Sequence, residues 1–221
     1  MKRVKLSPSL FGADIFDLRS QIKILEKNRV DLLHIDVMDG NFVSRMAFGA
    51  DHIKMIKQHT DIPLDVHMMV QNPEKHINNI IKAGADIITV HQESTDCLYH
   101  CLQIIKKAGI KAGVVLSPAT NPVNIEYVKN LLDMVLIMTV NPGESGQKFL
   151  PDMLDKIQQV KTLIKNSNID IEVDGNIDDK TAILCQQAGA NIFVSGGYIF
   201  NNDIEIQIIK LQQVLGINKG V

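Results

Sequence analysis

His34-Ile35-Asp36-Val37-Met38-Asp39-Gly40 closes an apolar run that starts at Leu32, and its alternation decides the fold. Successive side chains of a strand face opposite ways, so His34 and Asp36 point together while Ile35 and Val37 point away. A short run that is largely apolar on both faces suits a strand of a parallel sheet covered by helices. Outward from this stretch, comparable runs occur at Val4–Ser7, Leu64–Val70, Ile87–His91, Lys111–Leu116, Met134–Val140, Asp170–Val173 and Ile192–Ser195. Segments of helical period separate them, which gives eight strand–helix alternations.

The intervening segments carry helix punctuation. Asn72-Pro73 reads as an N-cap followed by proline at the first helical position, where its missing N–H costs nothing. Ile77, Ile80 and Ile81 then form one apolar face, and Gly84 supplies the stop; Gly109 and Gly189 end two further helices. No linker, low-complexity tract or charge block interrupts the series. Eight such units in 221 residues favour a closed barrel over an open doubly wound sheet. No glycine-rich helix start follows the first strand, which weakens the dinucleotide-binding alternative. The expected fold class is α/β, a single (β/α)8 TIM barrel, with one domain over residues 1–221.

Composition narrows the function. An apolar share of 45% and a charged share of 22% are those of an ordinary globular protein. A net charge of −2 with interspersed signs gives no basic stripe for nucleic acid, and no run approaches the roughly 20 apolar residues of a membrane span. Met1 to Pro8 does not read as a secretory signal. Cys97, Cys101 and Cys185 are odd in number and make no zinc-type pair of motifs, so they read as reduced thiols of a cytoplasmic protein.

In barrels of this kind the active site lies at the C-terminal ends of the strands. His34, Asp36, His67 and Asp174 fall at one level of those ends. Either imidazole alone would pass for a hydrogen-bonded core residue. Four such groups together suit one divalent metal ion of the borderline class, Zn²⁺, Fe²⁺, Mn²⁺ or Co²⁺. His91, also at a strand end, is expected to orient a site residue. His52, His59, His76 and His100 lie in helical segments and are expected to be solvated. Gly143 and Gly146, Gly175, and Gly196-Gly197 follow neighbouring strands, where backbone N–H groups can hold a phosphate without Lys or Arg. The chain has nine Met and no Trp; most Met are core filler, but Met38, Met69 and Met138 sit beside candidate ligands as an apolar cap.

The segments His34 to Val43, Asp65-Val66-His67-Met68-Met69-Val70, Met138-Thr139-Val140-Asn141-Pro142-Gly143 and Glu172-Val173-Asp174-Gly175 closely resemble the ribulose-phosphate 3-epimerase family. The resemblance runs in the family's order from Ser7 to about Phe200. It implies interconversion of D-ribulose 5-phosphate and D-xylulose 5-phosphate by inversion at C3, through a metal-stabilised enediolate. By that likeness His34, Asp36, His67 and Asp174 are the metal ligands, and Asp36 and Asp174 are also the acid/base pair. Ser9, His67, Met38, Met69 and Met138 contact the substrate. Gly143, Glu144, Ser145, Gly146, Gly175, Asn176, Gly196 and Gly197 surround its phosphate. A homo-oligomer, dimer or hexamer, is also implied.

The chain departs from the family's pattern around the substrate's tail. Phe42-Val43-Ser44-Arg45 stands for the usual Phe-Val-Pro-Asn, and Pro142-Gly143-Glu144-Ser145-Gly146-Gln147 for Pro-Gly-Phe-Gly-Gly-Gln. Asp174-Gly175-Asn176 replaces Asp-Gly-Gly, and Gly196-Gly197 replaces Gly-Ser. A carboxylate beside a phosphate is unfavourable unless paired, so Arg45 is expected to pair with Glu144 across the mouth. The same departures leave room for a hexulose substrate such as D-allulose 6-phosphate. Related decarboxylases and hexulose-phosphate synthases carry Asp-x-Lys, where this chain has Asp36-Val37-Met38. A non-catalytic sugar-phosphate-binding paralogue would be expected to have lost a ligand, and none is lost.

Overall fold

Eight parallel strands follow one another around a barrel in a computed structural model that describes residues 2–217. Met1 and residues 218–221, the two ends of the expected domain, lie outside the described residues. The staves are β1 (Lys5–Pro8), β2 (Leu33–Asp39), β4 (Leu64–Met69), β5 (Ile87–His91), β6 (Lys111–Leu116), β7 (Met134–Met138), β8 (Asp170–Asp174) and β9 (Ile192–Ser195). The ninth strand, β3 (Met46–Ala47), pairs antiparallel with Met38 and Asp39 at the top of β2. Hydrogen-bonded order runs β1-β9-β8-β7-β6-β5-β4-β2-β3. A parallel bridge between Ser9 and His34, with the Leu32 amide on the Leu6 carbonyl at 3.3 Å, brings β1 against β2 and closes the ring. The (β/α)8 barrel expected from the eight runs is the fold observed.

Alternation along each stave sorts the side chains. Outward-facing Leu33, Ile35 and Val37 of β2, Val135 and Ile137 of β7, and Phe193 of β9 pack under the helices in one continuous core. Each such side chain, fully buried, contributes about 1.5–3 kcal/mol. Inward-facing Leu32, Ile87, Met134 and Ile192 form a separate apolar plug at the barrel's lower end. The next inward residues up include a polar set, His34, Asp65, Thr89 and Glu172, all 0% exposed, while Leu136 and Val194 stay apolar on β7 and β9. The plug therefore seals the floor, and the polar layer opens only upward.

Helices α1 (Leu18–Lys27), α2 (Ala50–Lys57), α3 (Ile77–Ala83), α4 (Leu98–Lys107), α5 (Met153–Leu163), α6 (Thr181–Ala188), α7 (Gly197–Phe200) and α8 (Ile204–Val214) cover the staves. Between β6 and β7 the cover is two 3₁₀ turns, Pro122–Tyr127 and Lys129–Leu131, instead of an α-helix. That segment holds Pro118, Thr120, Asn121 and Pro122, residues that favour turns over helix interiors. Asn72 is not the side-chain cap expected of it. It sits in the left-handed region at φ 54°, which Asn tolerates, and Pro73 opens a 3₁₀ turn ahead of α3. Gly84 does end α3, at φ 99°, a conformation that penalises any residue with a Cβ.

Candidate metal centre and cavity

Neighbouring staves bring the four expected ligands to one point. The β2–β4 register sets Asp36 beside His67, while His34 lies one inward position below Asp36 and Asp174 ends β8. His34 Nε2 lies 3.5 Å from Asp36 Oδ1, 3.8 Å from Asp174 Oδ2 and 3.3 Å from His67 Nδ1. His67 Nδ1 lies 3.3 Å from Asp36 Oδ1 and 3.7 Å from Asp174 Oδ2. The four donor atoms lie within 4.8 Å of one another. Ligands at about 2.1 Å on a tetrahedral ion are separated by about 3.4 Å, so these separations fit a first-row divalent ion. Two imidazoles and two carboxylates are also the donor set that such ions take.

Three of the four expected ligands are held from behind. Ser9 Oγ donates to Asp36 Oδ2 at 2.6 Å, which leaves Oδ1 facing the imidazoles. His34 Nδ1 lies 2.7 Å from Asp65 Oδ2, the carboxylate–histidine arrangement that fixes a ligand's tautomer and ring orientation. His67 Nε2 lies 2.8 Å from His91 Nε2, and His91 Nδ1 lies 3.2 Å from Glu93 Oε2. Glu93 in turn accepts from the Ser117 amide at 2.9 Å and from the Thr120 hydroxyl. A single proton assignment satisfies this chain: His67 donates through Nε2 to His91, which donates through Nδ1 to Glu93. Nδ1 of His67 is then free to ligate.

Burial and neighbours split the proton affinities. Burial pushes Asp174 up to about 7, with the Asp36 and Asp65 carboxylates adding to the shift against the pull of His34. Asp36 goes the other way: burial would raise it, but His34 and His67 together hold it well below the ordinary carboxylate range. Burial opposes a charge on His34 too, yet Asp36 and Asp65 outweigh it and raise its affinity for a proton. Burial lowers His91 to about 4 and keeps it neutral. Glu172, 0% exposed, has neither carboxylate oxygen hydrogen-bonded, and burial reinforced by Asp65 raises it well above the usual range.

Above the centre opens a cavity of about 570 Å³. Ser9, Asp36, Asp174, Met38, Met69 and Met138 form its inner end. Gly143, Glu144, Ser145, Gly146, Gly175, Asn176, Gly196 and Gly197 line the rest, together with Asn141, Ile177, Asp178, Tyr198, Asn201 and Asn202, which the sequence did not single out. No Lys or Arg is among the lining residues. His67, expected also to touch substrate, is 0% exposed and is not among them. Gly175 is required by crowding, since a Cβ there would lie 2.7 Å from Val140 Cγ2 and 2.8 Å from its amide nitrogen, at φ +128°.

The expected Arg45–Glu144 pair is not formed. Arg45 directly precedes β3, and its guanidinium carbon stands 5.8 Å from the centroid of the Phe11 ring. Glu144 is exposed and joins no ion pair among the described residues. The other expectations about histidines hold. His52, His59, His76 and His100 are exposed, and His91 is the buried residue that orients His67. Asp65 and Glu172 are not among the expected site residues, although their spacing two residues before His67 and Asp174 sets them on the same inward face.

Comparison with known proteins agrees with this geometry. Residues 5–200 match the model of the Ribulose-phosphate 3 epimerase family. A Bacillus subtilis protein named ribulose-phosphate 3-epimerase is 44% identical over 200 residues, covering 89% of this chain and 92% of its own. The chloroplastic ribulose-5-phosphate-3-epimerase of Arabidopsis thaliana is 41% identical over 209 residues, 93% of this chain and 74% of the plant protein. Among solved structures, 3-hexulose-6-phosphate synthase from Salmonella typhimurium superposes with a TM-score of 0.71 at 22% identity, over 96% of this chain and 98% of that one. A Pyrococcus furiosus tryptophan synthase α-subunit gives 0.70 at 14%, over 98% of this chain and 100% of that one. At those identities the structural likeness speaks for the barrel alone. The match over residues 5–200 and the identities above 40% carry the closer relation: this chain belongs to the ribulose-phosphate 3-epimerase family.

Proposed function

We propose that this protein is a metal-dependent 3-epimerase that interconverts D-ribulose 5-phosphate and D-xylulose 5-phosphate by proton transfer between Asp36 and Asp174. One observation carries the reading: Asp36 and Asp174, two carboxylates of one potential metal cluster, share the inner end of a cavity whose outer wall is rich in glycine. Inversion at a carbon needs a proton removed from one face and another delivered to the opposite face. One of the two aspartates takes the proton and the other returns one, and their roles exchange in the reverse direction. Ser9 fixes the orientation of the Asp36 carboxylate by donating to Oδ2. Met38, Met69 and Met138 keep water and competing proton donors from the reacting carbon. A divalent ion held by His34, Asp36, His67 and Asp174 supplies, when bound, Lewis-acid stabilisation of the charge that develops on the sugar oxygens.

With no cationic side chain in the lining, the phosphate is held by backbone N–H groups of the Gly143–Gly146 loop, Gly175-Asn176 and Gly196-Gly197. Gly197 opens α7, whose first N–H groups have no partner within the helix. Three free cysteines accord with a cytoplasmic enzyme, and the family relation with a homo-oligomer acting as one domain per subunit. Metal-loaded protein given D-ribulose 5-phosphate in D₂O should yield D-xylulose 5-phosphate labelled at C3. Asp36→Asn and Asp174→Asn should each lower the rate by roughly 10²–10⁴. A loaded wild type that leaves the C3 proton unexchanged refutes the reading, and faster turnover of D-allulose 6-phosphate reassigns the substrate.

A further inference from the structure

A second set of metal-binding side chains lies outside the barrel mouth. Glu74 stands in the 3₁₀ turn after β4, Cys97 caps the start of α4 and Cys101 lies in its first turn. One donor atom from each falls within 4.8 Å of the others. Cys101 Sγ is 3.9 Å from Glu74 Oε2. Thr95 Oγ1 links the group, at 3.1 Å from Glu74 Oε2, 3.2 Å from Cys97 Sγ and 4.0 Å from Cys101 Sγ. Two thiolates and a carboxylate around a tetrahedral zinc stand about 3.5–3.8 Å apart, given bonds near 2.3 Å to sulfur and 2.0–2.2 Å to oxygen. No ion pair among the described residues engages Glu74.

We propose that Glu74, Cys97 and Cys101 form a second divalent-metal site, selective for a thiophilic ion such as Zn²⁺ and independent of the His34–Asp36–His67–Asp174 centre. Sulfur donors favour zinc over the hard ions that carboxylates alone would take. Three protein ligands leave the fourth position to water. Binding converts two thiols to thiolates and releases two protons to solvent for each ion taken up. The ion clamps the turn after β4 to the start of α4, two segments already joined by the Asn72 amide on the Ser94 carbonyl at 2.9 Å. Those segments follow the strands that carry His67 and His91.

Cobalt distinguishes the two sites, because the barrel centre has no sulfur ligand. Reduced, metal-free full-length protein titrated anaerobically with Co²⁺ should bind two ions, one of them with near-ultraviolet thiolate-to-cobalt absorption. Cys97→Ser/Cys101→Ser should lose that band and one ion while keeping the other, and the retained ion reports that the variant folds. Glu74→Gln should shift the band to higher Co²⁺ concentration, which tests the site even if the double variant is unstable. Asp174→Asn should weaken the other ion and spare the band, so failure here and failure of the epimerase reading are separable. A wild type that binds one Co²⁺ without a sulfur band, or a band that survives in the double variant, overturns the proposal.

Discussion

Ser9→Ala tests the role of Asp36 without touching an expected metal ligand. Ser9 is 7% exposed and Asp36 4%, and their hydrogen bond measures 2.6 Å. A hydrogen bond to a charged partner contributes about 1.5–3 kcal/mol, and here its loss strands a buried carboxylate oxygen. If Asp36 reacts in the orientation that Ser9 enforces, the variant should lose about 10- to 150-fold in kcat, from 1.4 kcal/mol per factor of ten. Metal content should stay near wild type, because the oxygen facing both imidazoles is Oδ1. Ser9 Oγ also accepts from the Phe11 amide at 3.3 Å and caps a 3₁₀ turn, so a fall in Tm of a few degrees is expected alongside. The assay is coupled steady-state kinetics at saturating metal, with metal quantified on the same sample. An unchanged kcat, or a loss of rate that tracks a loss of metal, refutes the reasoning.

Three further outcomes follow from the geometry. His91→Gln breaks the chain from His67 to Glu93 and should weaken metal binding about 10- to 100-fold, with kcat largely recovered at excess metal; competition with a chromogenic chelator reads this. Gly175→Ala drives a Cβ against the Val140 amide and should cost about 2–4 kcal/mol, a fall in Tm on the order of 5–15 °C, whereas Gly146→Ala, with nothing within 4 Å, should cost about 1 kcal/mol. Metal affinity should rise with pH, since Asp174, raised to about 7, and His34, also raised, must both lose protons to ligate. Below about pH 7 affinity should therefore fall by about tenfold or more per pH unit, and a flat chelator-competition profile between about pH 6 and 8 would contradict the electrostatics.

The sequence was most informative where side-chain direction follows from strand parity. His34 and Asp36, His67, and Asp174 could be set on one inward level because a strand alternates faces without exception over so few residues. The strand limits were read to within two residues, since apolar runs between glycine and proline signals leave little freedom. Parity also holds the signal for Asp65 and Glu172, but a buried carboxylate reads poorly from sequence. Its meaning depends on which neighbour it meets across the sheet. Arg45 and Glu144 were mispaired for a related reason. Both lie on mouth loops, where direction follows from a two-residue hairpin and a ring contact with Phe11, and neither has a period to read. The 3₁₀ cover between β6 and β7 and the αL turn at Asn72 were likewise local choices among competing turn chemistries. The Glu74 contact with Cys97 and Cys101 joins two separate crossovers, so spacing along the chain gave no sign of it.

Pairing of Asp36 with His67 across β2 and β4 has a thermodynamic corollary. A slip of one residue between those strands would exchange His34 and Asp36 for Leu33, Ile35 and Val37 on the inner face, and half of the expected coordination sphere would be lost at once. Ion capture at this centre is therefore a vote for one strand register among all those the chain could try, and its binding energy is spent on the closed ring as a unit. Removing the ion should loosen the barrel globally before it disturbs any single loop.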